Sequence, residues 1–143
     1  MKPVVKKIML WCLAVWGAAL ICVTAPLIVL TLRESRSVDR AFAEYASSLV
    51  AQRFDVAYGQ CGTEFRKAVP LDQFSRLYGS LRDRYGALKS VENVTHEVHG
   101  RGRPMYWRAV IDATFIYERK SLRFELVFHK EGSRWVIYSS EQL

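Results

Sequence analysis

"LDQFSRLYGSLRDRYGALKSVE" (residues 71–92) decides the fold, because its hydrophobic period changes partway along. Phe74, Leu77, Tyr78, Leu81 and Tyr85 follow the three-and-four spacing of one helix face, while Arg76, Arg82, Asp83 and Arg84 take the other faces. Pro70 and Asp72 mark the start of this helix and Gly86 its end. Beyond Gly86 the period drops to two, the signature of a strand. A helix therefore runs into a sheet, and its aromatic stripe is expected to lie on that sheet as core.

Downstream, four strands are expected. "ALKSVENVTHEVHG" (87–100) alternates loosely, and "GRGRP" (100–104) reads as a turn. In "MYWRAVIDATFIYE" (105–118), Ala109, Ile111, Ala113, Phe115 and Tyr117 share one face. Arg108, Asp112, Thr114 and Glu118 share the other. After a turn at 119–121, "LRFELVFHK" places Leu122, Phe124, Leu126 and Phe128 against Arg123, Glu125 and His129. "EGSR" turns the chain again and "WVIYSS" closes it. Short hairpins imply antiparallel pairing, and one-sided strands need cover on one face only.

Upstream, Val38, Phe42, Tyr45, Ala46, Leu49, Phe54 and Tyr58 suggest one helix from an N-cap at Ser37 to about residue 58. "TEFRKAV" (63–69) is long enough for one or two turns capped by Thr63. The expected class is α+β: about three helices packed on one side of a curved four-stranded antiparallel sheet, spanning residues 38–143.

Ahead of it, residues 8–32 carry no charge. Twenty-five helical residues reach ~37 Å, more than the ~30 Å hydrocarbon core. A single transmembrane helix is expected over 8–32, after a cytoplasmic tail (1–7) and before a short linker (33–37). A secretory signal peptide is the rival reading, but the apolar run is long for one and Pro26 follows the small-residue site at 23–25. Bulky Ile21 argues against a lipoprotein at Cys22. Basic flanks are nearly balanced, so orientation rests on the short tail: N-terminus inside, domain periplasmic or extracellular, in the inner membrane. Gly17, Ala18 and Ala19 would permit close helix approach.

The net charge is +7; after position 32 there are 18 basic and 14 acidic residues, and 14 of those 18 are arginine. That balance suits anionic headgroups or an acidic partner and lacks the concentration of a nucleic-acid footprint. Cys12 and Cys22 fall in the apolar run, and Cys61 stands alone in the soluble part. No internal disulfide framework or cysteine-based zinc site is available there, although pairing between copies through Cys61 is open.

The order helix, short helix, helix, four strands resembles the nuclear transport factor 2-like superfamily, whose cone-shaped fold is shared with ketosteroid isomerases and cystatin-like proteins. Small secreted or membrane-anchored bacterial members carry runs similar to residues 51–92 here, at Phe54, Ala57-Tyr58, Phe65, Phe74, Tyr85-Gly86 and Lys89-Ser90. The resemblance covers residues 38–143 and rests mainly on packing positions. It implies a hollow between helices and sheet that some members use for small apolar ligands, some for proton transfer and many for neither. Candidate lining residues are Phe42, Tyr45, Tyr58, Phe74, Tyr78, His96, Phe115 and Phe124.

An isomerase-like site needs an acid or base inside that hollow and an oxyanion donor. Asp112 has outward parity, and His96 shares parity with Val94 and Val98 and so is placed inward; a structural histidine is the blander reading. No catalytic residue is assigned. His96 and His99 lack a third ligand, so no metal is expected, and no phosphate loop or nucleophile elbow is present. The 100–104 turn has the charge to touch a phosphate or headgroup, with a solvated hairpin as the simpler reading. The expected function is a non-enzymatic accessory or protein-binding subunit without a cofactor. Membrane lipid and a protein partner are the expected contacts, self-association is open, and no nucleic acid is expected. Binding of an apolar, lipid-like ligand is the alternative, and an isomerase- or cyclase-like enzyme the weakest.

Overall fold

The computed structural model describes the backbone of residues 3–102 and 105–143 and the side chains of 24–92, 95–102 and 105–143. The chain divides into two units, 1–34 and 35–143. Four helices precede four strands: α1 (Pro3–Val50), α2 (Phe54–Gly59), α3 (Thr63–Ala68), α4 (Leu71–Tyr85), β1 (Leu88–Arg101), β2 (Tyr106–Tyr117), β3 (Ser121–Glu131) and β4 (Arg134–Gln142). The class is α+β with an antiparallel sheet in the order β1-β2-β3-β4. Cys61 adds a fifth, single-residue segment by a parallel bridge to Ile137 on the β4 edge. The expectation of four strands missed it because one residue has no periodicity.

The first unit is helical from Pro3, with Pro26 inside the helix. Side chains at 8–23, most of the expected span and with it Gly17, Ala18 and Ala19, lie outside the described residues. Among the described residues no helix is long and apolar enough to cross a membrane. Leu27, Ile28, Val29, Leu30 and Leu32 are exposed. Residues 33–37, expected as a linker, are helical and contain the boundary between the two units, and Ser37 is interior to α1 rather than its cap. The run 33–40 has no glycine or proline to break a helix already under way.

The expected helix to residue 58 is two helices. Gln52 adopts φ +57°, its N–H donates to the Leu49 carbonyl at 3.0 Å, and Arg53 N–H donates to Ser48 O at 2.9 Å. This double bond pattern is the left-handed helix stop that normally uses glycine. Here Gln52 takes the position, and its side-chain oxygen accepts from Arg82 at 2.9 Å.

At α3, the N-cap is Gly62 and Thr63 is the first helical residue. The capping oxygens come from Glu131 at the end of β3, which accepts from Thr63 N–H at 3.0 Å and Thr63 Oγ1 at 3.2 Å. A Cβ at Gly62 would sit 2.8 Å from Val136 Cγ2, so the close approach to β4 requires glycine.

The boundaries of α4 follow the reading, with Gly86 at φ +86° after the last turn. Its stripe is only partly core. Phe74 and Tyr78 are buried, Leu81 and Tyr85 half-buried, and Leu77 is 51% exposed. Phe74 and Tyr78 meet rings of the other helices, Phe54, Tyr58 and Phe65, and Tyr85 meets Tyr117 of β2 at 6.1 Å. The stripe thus joins helices to one another as much as to the sheet. In the sheet, the alternation holds in β2 and in β3 as far as Leu126: Ala109, Ile111, Ala113, Phe115, Leu122, Phe124, Leu126 and Phe128 are all buried, and Val127, of outward parity, is buried too.

Candidate functional site

The expected lining residues do come together. Phe42, Tyr45, Phe74, Tyr78, Phe115 and Phe124 are buried in one cluster, and Tyr58 packs half-buried against it. Phe115 and Phe124, neighbours across β2 and β3, have ring centroids 4.5 Å apart. Tyr58 donates to the Val69 carbonyl at 2.9 Å, and Tyr45 and Tyr78 hydrogen-bond each other at 2.7 Å. Burial raises the pKa of both hydroxyls of that pair, and for Tyr45 the neighbouring Tyr78 adds to it.

The gap beside these rings is small. Beside Tyr78 and Tyr117, a gap bounded by Leu49, Gln52, Phe54, Arg82 and Leu88 has a volume of about 10 Å³. That is the scale of one water and far below a ligand site. Tyr117 Oη is buried without a hydrogen-bond partner among the described residues, and burial pushes its pKa up to about 12. No carboxylate is among the groups that shift the Tyr45, Tyr78 and Tyr117 hydroxyls.

His96 goes elsewhere. A bulge between Asn93 and Thr95 reverses strand parity, so Glu92 pairs with Thr114 on the outer face and His96 with Ile111 on the inner one. His96 Nε2 is 2.8 Å from Ser35 Oγ, and Nδ1 is 3.8 Å from Asp39 Oδ1, both on α1. The residue types are those of a hydrolytic triad. The setting is not: Ser35 lies within a helix, where neighbouring N–H groups already serve carbonyls one turn back and cannot form an oxyanion hole. The trio ties β1 to α1.

Asp112 lies on the outer face as expected, 3.4 Å from Thr95 Oγ1 and 3.5 Å from Arg123. Cys61 is fully buried, its thiol pushed up to about 12 by burial against the opposing pull of Arg66. It is therefore not placed for pairing between copies. No cluster able to hold a metal ion occurs among the described residues.

The outer face of the sheet carries what sequence reasoning passed over. His129 pairs across the strands with Arg108, its Nδ1 hydrogen-bonds Tyr106 Oη, and its ring stacks on Tyr138 at 4.1 Å. Tyr106 and Tyr138 are nearly half exposed. Burial and then Arg108 lower the His129 pKa, against Glu131; burial and Tyr138 raise that of Tyr106, against Arg108. Outward parity of 106, 108 and 129 was readable from hairpin pairing. Tyr138 was not, because it is the residue skipped where the β3–β4 register shifts at Val127/Phe128.

No protein-family profile matches the chain, and no curated protein is significantly similar to it.

Proposed function

We propose that this chain is a single-pass membrane protein, anchored through residues 8–32, whose 35–143 unit is a non-enzymatic accessory or protein-binding module outside the cytoplasm. The observation that carries this reading is the small gap beside Tyr78 and Tyr117, about 10 Å³, with no carboxylate among the groups that shift the Tyr45, Tyr78 and Tyr117 hydroxyls. A ligand carrier in the nuclear transport factor 2-like manner, the superfamily the chain is proposed to belong to, would need several hundred Å³ there. Exposed aromatic surface suits a docking role, and Tyr106 and Tyr138 supply it on the outer sheet face. The uncharged run and the exposed Leu27, Ile28, Val29, Leu30 and Leu32 support the anchor.

A photo-crosslinking amino acid placed at 138 in the full chain, expressed in its native membrane, tests the reading. A discrete protein adduct is expected at 138, lost on Tyr106→Ala, and not formed from position 77 on α4. Adducts that are absent, or equal from both positions, would overturn it.

A further inference from the structure

We propose that a pocket on the outer sheet face, at the end of the β1–β2 pair, binds a phosphate group. The register sets Arg101 opposite Tyr106 and His99 opposite Arg108, so all four belong to one face of two neighbouring strands. With Gly100 they line a space of about 510 Å³, within the usual ~300–1,000 Å³ of small-molecule sites.

Charge decides what fits. Two guanidiniums and an imidazole border the pocket, with no acid among the lining residues. Among the described residues neither Arg101 nor Arg108 has a carboxylate partner, whereas Arg123 on the same face is matched to Asp112 and Arg76 on α4 to Asp72. Glu97, the nearest acid in sequence on that face, is held by His99 Nε2 at 3.2 Å instead. Guanidinium stays charged at any working pH and offers planar paired donors. Two such forks match the several acceptor oxygens and double charge of a phosphate better than a lone carboxylate.

The pocket's base is built in. A Cβ at Gly100 would meet Met105 Sδ at 2.8 Å and the Trp107 ring at 3.1 Å. Gly100 and Trp107 are cross-strand partners, and Trp107 packs against the core. The indole under Gly100 thus fixes the strands from which Arg101 and Arg108 project. Tyr106 Oη is already engaged by His129, so Tyr106 supplies a wall rather than a donor.

The phosphate has two chemical sources, a free phosphorylated solute or a lipid headgroup. The full chain in a phosphate-free maltoside detergent is titrated with inorganic phosphate, with glycerol 3-phosphate and with a short-chain phosphatidylglycerol. Amide shifts at Gly100, Arg101, Tyr106 and Arg108 report binding. Saturable shifts are expected from at least one of the three. Response to the first two identifies a solute site, and response to the lipid alone a headgroup site. The double variant Arg101→Gln, Arg108→Gln should weaken binding at least about tenfold, the scale of losing one charge-assisted contact. Arg108→Lys, which keeps the charge and loses the fork, should fall between. Arg123→Gln, on the same face but ion-paired, should change nothing. No saturable shift from any ligand, undiminished binding in the double variant, or an equal response to acetate would overturn the proposal. No partner protein is present in the titration, so its outcome is separate from that of the docking reading.

Discussion

The two faces of β2 and β3 are made by the same residues in alternation, yet they are chemically unlike. Inward, Ala109, Ile111, Ala113, Phe115, Leu122, Phe124, Leu126 and Phe128 are sealed under helices, and the neighbouring tyrosine pair satisfies itself. Outward, Arg108, Asp112, Thr114, Arg123, Glu125 and His129 stay partly or largely open. On the inner face the gap beside Tyr78 is small, and of the buried hydroxyls Tyr45 and Tyr78 match each other while Tyr117 Oη has no partner among the described residues. The outer face holds exposed rings and, in Arg108, an arginine without a carboxylate partner among the described residues, beside the paired Arg123. Substitutions should therefore register as stability on one face and as binding on the other.

The largest effect is expected at Phe115. Phe115→Ala should cost about 3–5 kcal/mol in denaturant unfolding of the full chain in detergent, while Arg123→Ala on the opposite face should cost under about 1 kcal/mol. Similar losses would erase the distinction between the faces.

Alkali tests the same contrast by titration. Tyr45, Tyr78 and Tyr117 all have raised pKa values in the folded chain. The unfolded chain releases these protons near pH 10, so stability is intact below about 10 and falls as pH rises toward the folded values. The slope should approach about 1.4 kcal/mol per pH unit for each tyrosine still protonated when folded. Removing Tyr45 and Tyr78 hydroxyls together should leave a shallower slope, measured as the unfolding midpoint against pH.

The tyrosine pair itself comes next. Tyr45→Phe strands the Tyr78 hydroxyl in the core and should cost about 1–3 kcal/mol. Tyr45→Phe with Tyr78→Phe should recover most of that loss, since nothing polar is then left unmatched. A double-mutant cycle that came out additive would mean the two hydroxyls do not depend on each other.

Smallest of all, Tyr138→Ala should shift stability by less than about 0.5 kcal/mol, as for other exposed positions, while weakening co-purification with any docked partner. A large loss of stability would place Tyr138 with the core instead.

What the sequence made legible was periodic. The alternation of β2 and β3, the limits of α4 and the inward set from Phe42 to Phe124 all follow from spacing, because burial repeats with the backbone. What escaped it was single residues. Gln52 ends a helix without the glycine that would have announced the stop, so α1 and α2 read as one. The bulges at 93–95 and at Tyr138 reverse parity without a sequence mark, which turned Glu92 outward while His96 stayed inward as read, and hid the ring on His129. The interior was legible as to members but not as to volume, because packing depends on rotamers that spacing does not record.

The Glu131 carboxylate on Thr63 carries a consequence for how the chain assembles. A six-residue helix is too short to persist by itself. α3 receives its cap from a residue 68 positions later, and the preceding bridge at Cys61 leans on Ile137. Residues 60–68, although translated early, gain their cap and bridge only when the last hairpin closes. On a ribosome α3 would emerge well ahead of the carboxylate that caps it, with only the α4 rings Phe74 and Tyr78 at hand to cover Phe54, Tyr58 and Phe65 in the meantime.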